Sequence, residues 1–268
     1  MVPLARLLAP LALAALSACA TLVPPPAAAP ANRDPQAAWA SVLERHVDEE
    51  GRTDFRGLAA DRGDLDAYVG WVARTSPASE PALFPTEADR IAYYVNSYNA
   101  LAMYNVIAAD FPETLEGFRK VPFFFLRKLQ IGGTPTTLYA YENDTIRPTG
   151  EERVHFALNC MARACPRLPR RPFTAAGLDA ELEREARFFF AEPRNLELDP
   201  ARKVVRLSEI LRFFTEDFTK EAPSLVAYVN RYREPGAQIP GDYKVEFIKY
   251  DWRVNYQPDD GRPAAPAR

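Results

Sequence analysis

Apolar side chains recur at helical spacing along most of this chain, and the longest such run covers residues 87–109. Ile91, Val95 and Tyr98 follow one another at intervals of three or four residues, which places them on one helical face. The run is preceded by Thr86-Glu87-Ala88-Asp89, a sequence typical of a capping box. We predict a long helix here, and the same spacing predicts shorter helices over residues 39–47, 65–72, 179–190, 208–218 and 225–232.

Strand patterns are short and lie between these helices. Residues 129–131 and 136–139 flank a Gly-Gly pair, and residues 196–198 and 203–207 flank a proline-containing turn, so each pair predicts a hairpin. Residues 243–250 alternate like a late strand. Small antiparallel hairpins set among several helices predict a mostly helical α+β fold. The chain has no glycine-rich phosphate loop, which argues against a Rossmann or P-loop role.

The first 19 residues have the pattern of a lipoprotein export signal. Arg6 supplies a positive charge, and the apolar run over residues 7–16 is too short for a permanent membrane span. Leu16-Ser17-Ala18-Cys19 resembles a bacterial lipobox, which predicts diacylglycerol on the thiol of Cys19 and a stable anchor. The alternative is a plain secretory signal with an incidental cysteine. No aspartate follows Cys19, and this favours an outer-membrane lipoprotein that faces the periplasm.

Composition divides the rest of the chain into a linker, one domain and a tail. Residues 20–34 are rich in proline and alanine and predict an extended spacer, and residues 258–268 predict a disordered tail. Residues 35–257 have the length of a single domain. The formal net charge of −3 gives no electrostatic case for nucleic acid. We expect the membrane as a partner through the anchor, an envelope protein or peptide as the ligand, and no cofactor.

Residues 153–166 concentrate the chemistry-bearing side chains of the predicted domain. This segment contains His155, one of two histidines, and both cysteines outside the leader, Cys160 and Cys165. In an oxidising compartment the default for such a pair is a disulfide. A reactive or redox-active thiol and a pair of inert thiols remain alternatives. A metal site lacks a fourth ligand and the usual cysteine spacing.

Residues 149–152 can cap a helix that continues to about residue 163. On such a helix, residues five apart point about 140° away from each other, so a bond between Cys160 and Cys165 requires the helix to end between them. If His155 is instead a general base for a thiol, Cys165 is better placed than Cys160. The groups that could orient the imidazole are Glu142, Asn96 and Asn99, and the alternative is that all of them satisfy one another in a buried polar network.

Several ordered motifs of the chain resemble the domain of unknown function 547 family. Asn96-Ser97-Tyr98-Asn99-Ala100-Leu101 is similar to the first signature of this family, and the segment from Arg153 to Pro166 is similar to the second. Ser208-Glu209-Ile210, the sequence FFTEDF at residues 213–218 and the sequence YDWRVN at residues 250–255 are similar to its remaining landmarks. The resemblance covers nearly the whole predicted domain and implies no established activity.

Two departures from the family pattern bear on chemistry. Family members commonly have a histidine after the glutamate, where this chain has Glu142-Asn143. If that histidine is essential to the family, this protein is inactive or His155 would have to act alone. The residues between the two cysteines carry no hydroxyl group, which excludes serine chemistry in that loop.

The sequence leaves two functions in view. The first is a periplasm-facing binding or assembly module with a Cys160–Cys165 disulfide. The second is a thiol-dependent hydrolase or transferase, of the cysteine-peptidase or transglutaminase type. In that enzyme Cys165 or Cys160 would be the nucleophile, His155 the base, and Glu142 or Asn99 the orienting group.

Overall fold

The computed structural model describes residues 21–27 and 33–258, and it confirms the predicted α+β class. The helices are α1 (Pro35–His46), α2 (Phe55–Ala60), α3 (Gly63–Val72), α4 (Glu87–Ala108), α5 (Leu138–Ala140), α6 (Leu178–Ala191), α7 (Glu209–Phe213), α8 (Thr215–Glu221) and α9 (Leu225–Asn230). The strands are β1 (Thr21–Leu22), β2 (Arg127–Ile131), β3 (Thr134–Thr136), β4 (Leu196–Asp199), β5 (Val204–Ser208) and β6 (Lys244–Ile248). Among the described residues, no helix is long and apolar enough to cross a bilayer.

Helix α4 is the central element of the larger core. Its predicted capping box is present, because the Thr86 side chain accepts a hydrogen bond from the Asp89 backbone and the Asp89 carboxylate accepts one from the Thr86 backbone. Every residue between Val95 and Val106 is buried, so the helix is enclosed on all sides rather than along one face. This burial brings the asparagines of α4 into contact with distant loops.

Both predicted hairpins are present, and each gains a third strand. Strands β2 and β3 pair antiparallel, as do β4 and β5. The predicted late strand is β6, which runs parallel to β5 with Val204 opposite Lys244. Strand β1 runs parallel to β2 with Thr21 opposite Arg127. The result is two small mixed sheets, one beside each core.

The start of the expected spacer lies against the domain. Besides the pairing of β1, the backbone N–H of Val23 donates to the Lys128 carbonyl at 2.8 Å, and the Val23 side chain is buried. The hydroxyl of Tyr104 donates to the Pro24 carbonyl at 3.0 Å. The expected signal peptide, Cys19 and the tail from residue 259 lie outside the described residues.

Two helix predictions were wrong. The helix predicted over residues 208–218 breaks at Phe214 into α7 and α8. The helix predicted from residues 149–152 to about residue 163 is only a 3₁₀ turn, Glu152–Phe156, followed by an irregular loop. The 3₁₀ turn lies between the two cores, with Val154 in the α1–α4 core and Phe156 in the core formed by α6, α8, α9 and the second sheet.

Candidate binding pocket

A pocket of about 320 Å³ opens where the two cores meet. It is lined by aromatic side chains and by a smaller set of polar and sulfur-containing groups. The aromatic members are Tyr98, Phe124, Phe125, Tyr139, Phe213, Phe214, Tyr250 and Trp252. The polar and sulfur-containing members are Lys120, Glu142, Asn143, Arg147, His155, Cys160 and Cys165. An apolar cavity with few convergent polar groups is the usual form of a small-ligand site.

The predicted disulfide forms part of the pocket wall. Cys160 and Cys165 are joined, with their Cα atoms 6.1 Å apart. The bond is compatible with the backbone because the 3₁₀ turn ends at Phe156, before the first cysteine. Between the two cysteines, Met161 adopts a positive φ of 68°, and the chain turns there. The Tyr250 hydroxyl donates a hydrogen bond to Cys165 Sγ at 3.2 Å. Cys165 is buried and Cys160 is partly exposed, so Cys160 is the more accessible sulfur.

Asn99 holds the disulfide loop and does not orient the imidazole. Its Nδ2 donates to the Ala157 carbonyl at 3.0 Å, and its Oδ1 accepts from the Asn159 backbone at 2.7 Å. The Asn159 side chain in turn donates to the Pro166 carbonyl at 2.8 Å. These bonds use the buried amide of Asn99 to fix the chain on both sides of the cysteines.

Asn96 also bonds to the backbone rather than to His155. Its Oδ1 accepts from the Phe173 N–H at 3.0 Å and from the indole of Trp39 at 3.2 Å. Its Nδ2 donates to the Phe173 carbonyl at 2.8 Å. Both carboxamides therefore fix loops onto α4, which corrects the expectation that they orient the imidazole.

The group that orients His155 is Asp217, in α8. The imidazole Nε2 lies 2.9 Å from Asp217 Oδ2, and the guanidinium of Arg147 binds both carboxylate oxygens of Asp217, at 2.7 and 3.0 Å. The ring of Phe214 stacks on the imidazole with the ring centroids 3.9 Å apart. The residue His155 is thus held by one ion-paired carboxylate and one aromatic face.

The protonation state of this pair follows from its surroundings. The hydrogen bonds from His155 and Arg147 hold the pKa of Asp217 well below its usual range, although burial opposes them. Burial lowers the pKa of His155, and Asp217 counters part of this effect. Because an ionised carboxylate only accepts, Nε2 carries the proton of a neutral ring at pH 7. The other nitrogen, Nδ1, is buried and has no hydrogen-bond partner among the described residues.

Glu142 is the second acid–base group of the pocket. It lies in a π-helical turn, Tyr141–Ile146, and its Oε2 accepts from the Tyr98 hydroxyl at 3.1 Å. Burial raises the pKa of Glu142 to about 7, against the opposing effects of that bond and of the Arg147 charge. The neighbouring Asn143 accepts a hydrogen bond from Arg147 at 2.7 Å. The turn therefore supplies one titratable carboxyl, that of Glu142, and one amide oxygen that holds Arg147, that of Asn143.

Four of the predicted residues line one pocket: Glu142, His155, Cys160 and Cys165. Asp217 and Arg147 were missed because Asp217 contacts His155 across 62 residues of sequence and Arg147 across 70. The one available signal was the FFTEDF sequence at residues 213–218, which contains Asp217. Within the described residues, no group of three or more histidine, cysteine or acidic side chains is arranged to hold a metal ion.

Residues 84–190 match the model of a protein family described as a protein of unknown function, DUF547. The matched segment contains α4, the disulfide loop and all but the last residue of α6, and therefore both signatures of the resemblance. No curated protein matches the chain, and no solved structure does. The comparisons thus support the domain family without supplying an activity.

Proposed function

We propose that this protein is a periplasm-facing binding module, tethered to the outer membrane through acylated Cys19, that holds its ligand in the aromatic pocket. The observation that carries the proposal is the pocket itself, which is lined mainly by aromatic rings together with five polar or charged side chains. The lipobox-like sequence before Cys19 supports the tether. The proposed ligand is a peptide side chain or a small molecule of the envelope.

The charges around the pocket indicate which ligand it prefers. Arg147 is neutralised by Asp217, and the pKa of Glu142 near 7 leaves that group partly protonated. The ammonium of Lys120 lies 4.1 Å from the Trp252 ring centroid and makes no ion pair with the described carboxylates. Since Lys120 is, among the described residues that line the pocket, the lysine or arginine without an ion-pair partner, we infer a ligand with an apolar or aromatic body and an anionic group.

The probe 1-anilinonaphthalene-8-sulfonate has this chemistry and tests the pocket directly. We expect one saturable site on the folded protein, with affinity lowered about tenfold by Phe213→Ala, which removes an aromatic contact. Lys120→Met should lower the affinity about fivefold through loss of the cation. Both side chains are at least partly exposed, so both variants should fold.

The matched control is Leu198→Ala, an exposed apolar side chain on β4 that does not line the pocket. Its affinity for the probe should equal that of the unmodified protein, as measured by fluorescence titration. Equal affinity in all four proteins would contradict a ligand site in this pocket.

A second candidate is the thiol-dependent hydrolase or transferase. The observation in its favour is that His155 and both cysteines line the same pocket. This enzyme would need Cys160 and Cys165 in the reduced form, with the unpaired Nδ1 of His155 as the base. The two candidate functions therefore differ in whether Cys160 and Cys165 are oxidised or reduced in the functional protein.

A thiol count separates the two candidates. We expect no maleimide-reactive thiol in the mature chain from Ala20, and two after reduction in denaturant. Cys160→Ala and Cys165→Ala should each lower the free energy of unfolding by about 2 kcal/mol, because either change opens the same short loop. A thiol that reacts rapidly without reductant at a pH well below 8 would instead support the enzyme.

A further inference from the structure

The segment 118–128, which we call the basic aromatic segment, differs from the rest of this acidic protein. Its sequence is FRKVPFFFLRK, with four cations and no carboxylate, in a chain whose formal net charge is −3. Phe118 is 99% exposed, Val121 50% and Phe125 41%. Large apolar side chains and cations are thus displayed together on one short stretch of surface.

The fold holds these side chains outward. Gly117 has a positive φ of 63°, which begins the exposed 3₁₀ turn that carries Phe118. In the π-helical turn Pro122–Leu126, Phe123 and Phe124 are buried and anchor the turn, while Phe125 remains outside. The exposed ring of Tyr139 lies 4.6 Å from the ring of Phe125 and extends the apolar surface.

The cations of the segment are available to a partner. Arg119, Lys120, Arg127 and Lys128 make no ion pair with any carboxylate of the described residues, whereas most arginines elsewhere in the described chain do. Lys128 and Arg119 are exposed. Their charge is therefore not compensated locally, and an anionic surface would complement it.

The place of Cys19 in the sequence indicates which anionic surface the segment would meet. Strand β1 places Thr21 opposite Arg127 and Leu22 opposite Lys128. Cys19 precedes β1 by two residues in the sequence. The proposed acylation site is therefore adjacent in sequence to the strand that pairs with the end of the basic aromatic segment, where Leu22 is also exposed.

We propose that the basic aromatic segment is a membrane-docking surface that lies on the bilayer. Phe118, Val121 and Phe125 would insert at the interface, and the cations would bind anionic lipid headgroups. The choice of the Cys19-bearing membrane rests on the proposed tether, but the affinity of the segment for an anionic bilayer does not. Self-association is disfavoured because a symmetric dimer would oppose the same cations. Lys120 and Phe125 also line the pocket, so docking brings the pocket to the membrane interface.

Vesicle co-sedimentation of the unlipidated mature chain from Ala20 tests the surface independently of Cys19. This chain contains every residue of both hydrophobic cores. We expect binding to vesicles of phosphatidylglycerol and phosphatidylethanolamine that is at least tenfold tighter than binding to phosphatidylcholine vesicles. Phe118→Ala should weaken it about tenfold. Arg119→Glu with Lys128→Glu should weaken it by more than about 25-fold, from about fivefold per cation.

Matched controls carry the same changes elsewhere on the surface. Leu83→Ala removes an apolar side chain that is 59% exposed, and Arg171→Glu with Lys244→Glu alters the total charge equally at two exposed positions. These variants should bind vesicles as the unmodified chain does. Weak binding by the unmodified chain, or equal losses in the control variants, would overturn the proposal. So would concentration-dependent dimerisation without lipid that Phe118→Ala abolishes.

The test distinguishes failure of the docking proposal from failure of the proposed acylation of Cys19. If Cys19 of the full chain incorporates no labelled palmitate in cells while the unlipidated chain binds anionic vesicles, the lipoprotein proposal is wrong and the docking surface stands. The reverse outcome, acylated Cys19 with no vesicle binding, retains the tether and removes the docking surface.

Discussion

Replacing Asp217 by alanine is expected to lower the free energy of unfolding by about 3 kcal/mol at pH 7. Asp217 accepts hydrogen bonds from His155 and from two nitrogens of the Arg147 guanidinium, Nε and Nη2. Its removal leaves an almost fully buried imidazole without its acceptor and a partly buried guanidinium with Asn143 alone, and such unpaired groups carry a large desolvation cost. Urea unfolding followed by circular dichroism measures the loss.

The pH dependence of this loss has a defined sign. Because the pKa of Asp217 is lowered by folding, its contribution is present above the ordinary aspartate pKa and is lost as pH falls through the folded value. The difference between Asp217→Ala and the unmodified protein should therefore be full at pH 7 and smaller near pH 3. Asp217→Asn, which keeps an acceptor without the charge, should lose less than Asp217→Ala.

The neighbouring Glu216→Ala is the matched control. Glu216 lies in the same helix and is exposed, so its removal should change the free energy of unfolding by less than about 0.5 kcal/mol. A loss of less than about 1 kcal/mol for Asp217→Ala would show that His155 and Arg147 do not depend on this carboxylate.

The parts of this fold that could be predicted are those whose determinants are close in sequence. The capping box of α4 uses Thr86 and Asp89, three residues apart, and the hairpin turns lie between the strands that they join. The pairing of β1 could not be predicted, since its partner β2 follows about a hundred residues later and the composition of residues 20–34 resembles a linker. Local patterns specify elements, and long-range partners decide which of them persist.

The candidate site shows the same division. His155 and the two cysteines were found because they are rare residue types in one short segment. The helix expected through them does not form, because Asn99 of α4 binds Ala157 and Asn159 from 58 and 60 residues away and takes up the backbone groups that a helix would need. The same contacts show that Asn99 supports the disulfide loop and does not contact the imidazole of His155.

The second large effect on the free energy of unfolding is expected for Glu142. Replacing Glu142 should stabilise the protein, whereas replacing Asp217 should destabilise it. Glu142→Gln is expected to raise the free energy of unfolding by about 3 kcal/mol at pH 8 and to leave it unchanged near pH 4. Burial raises the pKa of this carboxyl from 4.5 to about 7, and this difference of about 2.5 corresponds to about 3 kcal/mol at 1.36 kcal/mol per pH unit. Above pH 7 the folded protein contains a carboxylate that is partly withdrawn from water, and glutamine replaces it with a neutral group of the same shape.

The sign follows from proton uptake. Between pH 7 and pH 4.5 the folded carboxyl holds a proton that the unfolded one releases, so acidification stabilises the unmodified protein through this group. The two histidines act in the opposite direction, because burial lowers the pKa of His46 and of His155, and they are common to both proteins. The difference between Glu142→Gln and the unmodified protein therefore isolates Glu142. Glu80→Gln, at an exposed position, should show no such pH dependence. A constant difference for Glu142→Gln from pH 4 to pH 8 would mean that this carboxyl titrates normally and that the pocket is well hydrated around it.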